Sequence, residues 1–114
     1  MTVERDDSNS RFTESSGNVF ADLGLPATEK DMLKVQIALA ISATIEKRKL
    51  TQVQAAKIIG TDQAKISAVL RGRLRDLSVE RLIHFLILLG RDIEVKFGQY
   101  RQNAKGQIRV RNAA

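Results

Sequence analysis

Thr51-Gln52-Val53-Gln54-Ala55-Ala56-Lys57-Ile58-Ile59-Gly60-Thr61-Asp62-Gln63-Ala64-Lys65-Ile66-Ser67-Ala68-Val69-Leu70-Arg71-Gly72-Arg73 decides the fold, because it holds two short apolar-patterned segments joined by Gly60-Thr61-Asp62. Thr51 can cap a first helix whose opening turn holds Gln52, Val53 and Gln54. Val53, Ala56 and Ile59 recur at helical spacing, and Gly60 supplies the residue that readily takes positive φ at a helix C-terminus. The first helix therefore ends at about Ile59. Thr61 or Asp62 can cap a second helix. Its inward stripe is Ile66 and Val69 with Leu70 beside them, while Gln63, Ala64, Lys65, Ser67 and Ala68 face outward. Ala56 matters because two helices crossing steeply through a three-residue turn need a small side chain at the contact.

A plain helical hairpin in a bundle would show the same caps and the same stripe. The sequel separates the two readings: in Arg71-Gly72-Arg73-Leu74-Arg75, three arginines follow the second helix at alternate positions around a glycine. A solvated charge run has this composition too. Placed directly after a polar helix with no acid beyond its cap, the arginines fit phosphate contacts, because phosphates flank the major groove in which such a helix would lie.

These residues resemble the XRE-type, phage-repressor and Cro-like helix-turn-helix regulators. The match covers Leu50 to about Gly90, and Thr51-Gln52, Ala55-Ala56, Ile59-Gly60, Ile66-Ser67 and Leu70-Arg71-Gly72-Arg73 are its specific part. The resemblance implies that Gln52, at the start of the first motif helix, binds phosphate and braces the recognition helix. It also implies that Gln63, Ala64, Lys65, Ser67 and Ala68 meet base edges and that Arg71 and Arg73 meet the backbone. Leu70 departs from the pattern, standing where many relatives carry Glu. Two further stretches, Ser16 to Pro26 and Leu89 to Val95, look like those of HigA-type antitoxins. Members of that group typically bind their own operator as dimers and bind a ribonuclease toxin through flanking segments, so both partners are implied here.

Length and charge agree with a small regulator. A chain of 114 residues has room for one domain with a modest core and a flexible tail or two. No run of about twenty apolar residues is present to span a bilayer, and the acidic start Thr2-Val3-Glu4-Arg5-Asp6-Asp7 is no signal peptide. A soluble, cytoplasmic protein is expected. The absence of cysteine excludes a disulfide framework and thiolate metal sites, and the single histidine, His84, builds neither a metal cluster nor an acid–base pair. No cofactor is expected.

The net charge of +6 is unevenly spread: residues 1–27 hold Arg5 and Arg11 against Glu4, Asp6, Asp7, Glu14 and Asp22, a net of −3, which leaves +9 on the remainder. A basic domain attracts polyanions through release of counterions from phosphates. An anionic membrane surface is the competing target, yet no segment combines a basic face with exposed Trp or Phe as an interfacial helix would. Residues 1–27 read as a flexible acidic arm, in which Phe12, Val19, Phe20, Leu23 and Leu25 either fold back on the domain or dock a partner.

Beyond Pro26, Thr28-Glu29-Lys30-Asp31 reads as the start of a helix running to about Lys49, with Leu33, Ile37, Ile41 and Ile45 four apart and Ala40 and Thr44 beside them. Lys47-Arg48-Lys49 places positive charge at the end of that helix, where the dipole favours it. Ser78 caps a last helix whose body, Leu82 to Leu89, is apolar on nearly every side and offers part of its circumference to a second chain. His84 within it reads as a core or half-exposed residue. After Gly90, Asp92-Ile93-Glu94-Val95-Lys96-Phe97 alternates as a half-buried strand does, and Gln107 to Arg111 is a second candidate strand after a turn at Asn103 to Gly106.

The chain is thus expected to be mostly α: a lambda-repressor-like helix-turn-helix domain of four or five helices over residues 28–98, with a short C-terminal β-strand or hairpin and a basic tail over 99–114. The expected function is sequence-specific binding to an inverted-repeat operator in double-stranded DNA as a homodimeric repressor. Gln52, Gln63, Ala64, Lys65, Ser67, Ala68, Arg71, Arg73 and Arg75 are the candidate contacts, with Gln63 suited to adenine and Lys65 to guanine. The alternatives are a toxin-neutralising module without DNA binding, and an RNA adaptor, which four Phe, one Tyr and no Trp equip poorly for base stacking. An enzyme is disfavoured, since no glycine-rich phosphate loop, serine-centred elbow or paired histidines occur.

Overall fold

The computed structural model describes residues 27–111. The readings of the N-terminal arm up to Pro26 lie outside them. Four helices follow in order: α1, Ala27–Lys47; α2, Gln52–Ile59; α3, Gln63–Leu70; and α4, Val79–Leu88. α1 packs chiefly on α4 and α2 chiefly on α3, and α3 also lies against α1.

The four-residue spacing in α1 creates its inner face: Ile37, Ile41 and Ile45 are buried, Ala40 and Thr44 fill the next row, and Leu33 packs at the edge. α4 answers with Val79, Leu82, Phe85 and Leu86, followed by Leu89 just past its end. The deepest side chains, Ile41, Ile66, Val69, Leu82 and Leu89, come from α1, from α3 and from α4 with the residue after it, so the core sits where α3 meets the α1–α4 pair. Burial of such a side chain stabilises by about 1.5–3 kcal/mol. This is what holds two eight-residue helices that are too short to persist alone.

All four helices close in the same way. The amide two residues past the last turn reaches back to a carbonyl five residues earlier: Leu50 to Ile45 at 3.0 Å, Thr61 to Ala56 at 2.9 Å, Arg73 to Ala68 at 2.8 Å and Arg91 to Leu86 at 2.9 Å. The residue between must turn left-handed, and three times it is glycine: Gly60, Gly72 and Gly90. At the end of α1 it is Lys49, with φ of 55°.

Two expectations are corrected. Val53 does not point inward but is 55% exposed, and Ala55 takes the buried place beside Ala56 and Ile59. Steps of three residues drift by about 60° each around a helix, so Val53, Ala56 and Ile59 cannot all share a narrow stripe. The alanines at 55 and 56 are adjacent to the α3 crossing, where small side chains let the backbones approach. The expected C-terminal β-strand or hairpin is also not formed: among the described residues, 91–111 contain a turn at 102–104 and no helix or strand. A strand requires a partner backbone, and an isolated two-stranded hairpin gains too little to hold itself together. None of the described helices is long and apolar enough to cross a membrane.

Candidate nucleic-acid interface

Each end of the α2–α3 unit is set by a local bond. Thr51 and Gln54 form a reciprocal cap, the Thr51 hydroxyl accepting from the Gln54 amide at 3.1 Å and the Gln54 side chain accepting from the Thr51 amide at 2.8 Å. Asp62, and not Thr61, caps α3 by accepting from the Lys65 amide at 2.7 Å. Gln54 and Asp62 are thereby occupied with backbone, and no acidic side chain remains on α3 itself. Its outward surface therefore carries no negative charge to repel a phosphate.

The first residues of the two helices then meet. The Gln63 side-chain amide donates to the Gln52 side-chain oxygen at 2.6 Å, joining positions eleven residues apart. Gln52 is half-buried and Gln63 exposed, so the bond holds the start of α3 from its inner side and leaves Gln63 open to an approaching ligand. The α3 register groups the remaining candidates. Gln63, Ala64 and Arg71 are exposed on the side opposite the buried Ile66 and Val69, with Ser67 and Ala68 half-buried on the same side. Lys65 is separated from Gln63 by about 160° around the axis and lies half-buried on the flank. Leu70 is half-buried against the core, so the position that departs from the family pattern adds to the packing.

Arg71, Arg73 and Arg75 are all exposed. Their loop is fixed from below. Leu74 and Leu77 insert into the core, the Arg73 amide bonds back to Ala68, the Leu77 amide reaches the Leu74 carbonyl at 3.1 Å, and the Lys34 ammonium approaches that same carbonyl at 3.4 Å. Alternation around a buried Leu74 turns Arg73 and Arg75 outward on a rigid base. The role of Leu74 and Leu77 was missed by helical periodicity because they belong to no helix; their three-residue spacing between Arg73 and Ser78 is the signal that marks them.

Arg48, which the sequence places as a terminal charge of α1, and Arg91 both bridge α1 and α4. Arg48 donates to the Leu89 carbonyl at 2.9 Å, so it neutralises the C-terminal end of α4 and not only that of α1. Arg91, in return, donates to the Thr44 hydroxyl of α1 at 3.0 Å, while that hydroxyl donates to the Ala40 carbonyl at 2.7 Å. His84 is exposed and borders an open groove with Glu80, Arg81 and Phe85, where the Arg81 guanidinium stands 6.0 Å from the Phe85 ring centre. Among the described residues no group of His, Asp and Glu could hold a metal ion.

Two capped helices crossing through a short turn, the second presenting a polar, acid-free face and ending in a rigid arginine loop, define a DNA-binding helix-turn-helix protein. A helix-turn-helix domain family model matches residues 19–98. A solved structure assigned to the XRE family of transcriptional regulators is similar to this chain at 35% identity and a TM-score of 0.71, covering 77% of this chain and all of the other. A comparison with curated proteins finds no match. The chain belongs to the XRE-type helix-turn-helix family, and its function is DNA-binding transcriptional regulation.

Proposed function

We propose that the protein is a dimeric, sequence-specific repressor, acting at an inverted-repeat operator of its own operon in the cytoplasm. The observation that carries this reading is the Gln52–Gln63 bond, which fixes the start of α3 while leaving the Gln63 side chain a free N–H and a lone pair for a base. In the proposed complex α3 lies in the major groove. Gln63 reads a base edge, adenine being the partner whose donor and acceptor match an amide; Ser67 donates to a base; Ala64 and Ala68 admit a thymine methyl. Arg71 begins one end of the helix's exposed row, about 12 Å along the axis from Gln63, comparable with the ~12 Å groove. It holds phosphate together with Arg73 and Arg75, and Gln52 does so at the opposite end. Lys65, off the Gln63 face, serves a flanking phosphate instead of guanine. Two copies require half-sites about one helical turn apart, roughly 34 Å.

The resemblance to HigA-type antitoxins adds a second partner to this proposal, a ribonuclease toxin. Val35 and Leu39 support it: they are exposed on α1 beside Met32, which borders a groove shared with residues 108–111 of the tail, and they offer apolar surface to a protein. A stable complex with the product of an adjacent toxin-sized reading frame tests that partner.

The repressor reading is tested by fluorescence anisotropy with a duplex of the gene's upstream DNA and a scrambled duplex, each across a salt series. Tight binding to the first that persists at physiological salt is expected. Equal binding to both that salt erases would overturn sequence-specific repression and leave toxin neutralisation as the function.

A further inference from the structure

Directly after α4, residues 92–97 carry a pattern that the single chain does not use. Asp92, Glu94 and Lys96 alternate with Ile93, Val95 and Phe97. All six are exposed, Val95 at 78% and Phe97 at 91%. Among the described residues, no backbone-to-backbone hydrogen bond is made by residues 92–98. An alternating segment with free amides and carbonyls is a sheet edge awaiting a partner.

We propose that residues 93–97 pair antiparallel with the same segment of a second copy of this chain, across a two-fold axis at Val95. The inference rests on the dimer proposed above and names the element that builds it. The charges select both the partner and the register. Keeping apolar opposite apolar leaves three central registers, with the axis at Glu94, Val95 or Lys96. An axis at Glu94 sets that carboxylate against its own copy, and an axis at Lys96 does the same with the ammonium; like charges directly opposite are unfavourable. An axis at Val95 sets Glu94 opposite Lys96 twice, Ile93 opposite Phe97 twice, and Val95 opposite itself. Only this register is complementary at every position from 93 to 97, and Asp92 then faces Gly98, which has no charge.

The pairing gathers Ile93, Val95 and Phe97 of both copies on one face of a two-stranded ribbon. Ile87 and Leu88, exposed at the end of α4 only a few residues upstream, supply apolar surface to cover it. Because α4 is tied to α1 through Arg48 and Arg91 at this same end, the ribbon joins the two domains through their rigid scaffold and so fixes the separation of the two α3 helices.

Sedimentation equilibrium of the full chain, with circular dichroism to follow the fold, tests the register through charge exchange. Glu94→Lys or Lys96→Glu alone turns both cross-strand pairs into like-charge pairs, and each is expected to raise the dimer Kd on the order of 10- to 100-fold. Combining the two changes in one chain restores the parent Kd, and an equimolar mixture of the two single variants reassembles as a heterodimer. Val95→Asp, which sets a carboxylate against itself on the axis, dissociates the dimer further. A dimer that tolerates both single changes, or that the double change fails to rescue, would overturn the ribbon while leaving the dimeric repressor intact. A parent chain that remains monomeric while saturating its operator would remove the dimer itself.

Discussion

The α1–α4 pair and the α2–α3 pair differ in length, 21 and 10 residues against 8 and 8, and are held by different means. α1 and α4 bury most of the large side chains and are pinned at one end by two reciprocal arginine bonds, Arg48 to the Leu89 carbonyl and Arg91 to the Thr44 hydroxyl. α2 and α3 are two turns each, contribute Ala55, Ala56, Ile59, Ile66 and Val69 to the core, and are positioned by side-chain caps and by one bond between two amide side chains. The first pair is a scaffold whose polar contacts end in backbone or in its own helices. The second leaves its polar groups facing out. Stability and recognition are therefore separable in this molecule, because few side chains serve both.

Substitutions should divide along that line. Leu82→Ala leaves a cavity at a fully buried site of the scaffold, and a loss of about 3 kcal/mol is expected in urea unfolding, with operator affinity falling only as the folded fraction falls. Gln63→Ala should leave the urea midpoint in place and reduce discrimination at one base pair by about 1–3 kcal/mol, seen in binding to operators mutated one pair at a time. If discrimination were unchanged at every position, Gln63 would be a bracing residue alone.

Thr44→Val keeps the volume but removes both bonds of the hydroxyl, and about 1–2 kcal/mol of unfolding free energy should be lost. Unchanged stability would mean that the reciprocal pinning is ornamental and the two helix pairs are alike. Arg73→Ala belongs to the other side: it should weaken operator and scrambled duplex alike and lower the slope of log K against log salt by about one unit, with thermal stability unaffected. A change in preferred base would reverse the roles given to Arg73 and Gln63.

The smallest effect has the opposite sign. Lys49 takes the left-handed position that glycine holds after the other three helices, and a side chain there costs about 1 kcal/mol in backbone strain. Lys49→Gly should raise the melting temperature by a few degrees at most, since glycine also gains freedom in the unfolded chain. A fall would show that the Lys49 side chain contributes more than its backbone costs.

Much of the reading pair was visible in the sequence because its signals are local. Caps at Thr51 and Ser78, left-handed glycines at 60 and 90, the acid-free face of α3 and the arginines after it depend on residues within a few positions of one another. Val53 shares the three-residue spacing of Ala56 and Ile59 yet is exposed, because each such step drifts by about 60° around the helix and the apolar spacing alone does not say which of the three faces inward. The tail after Gly90 alternates as a strand does, a pattern that states which residues would share a face but not whether a neighbouring backbone exists.

By itself the sequence determined the helices found among the described residues, the turn between α2 and α3, the outward polar face and the basic charge, all consequences of spacing, capping and composition. Only the tertiary structure decided that Arg48 and Arg91 exchange partners across more than forty residues, that Leu74 and Leu77 reach the core beneath the arginine loop, and that the Gln52 oxygen meets the Gln63 amide. Those are contacts between elements. Their energies depend on distances that packing sets, and no local pattern of residues carries that information.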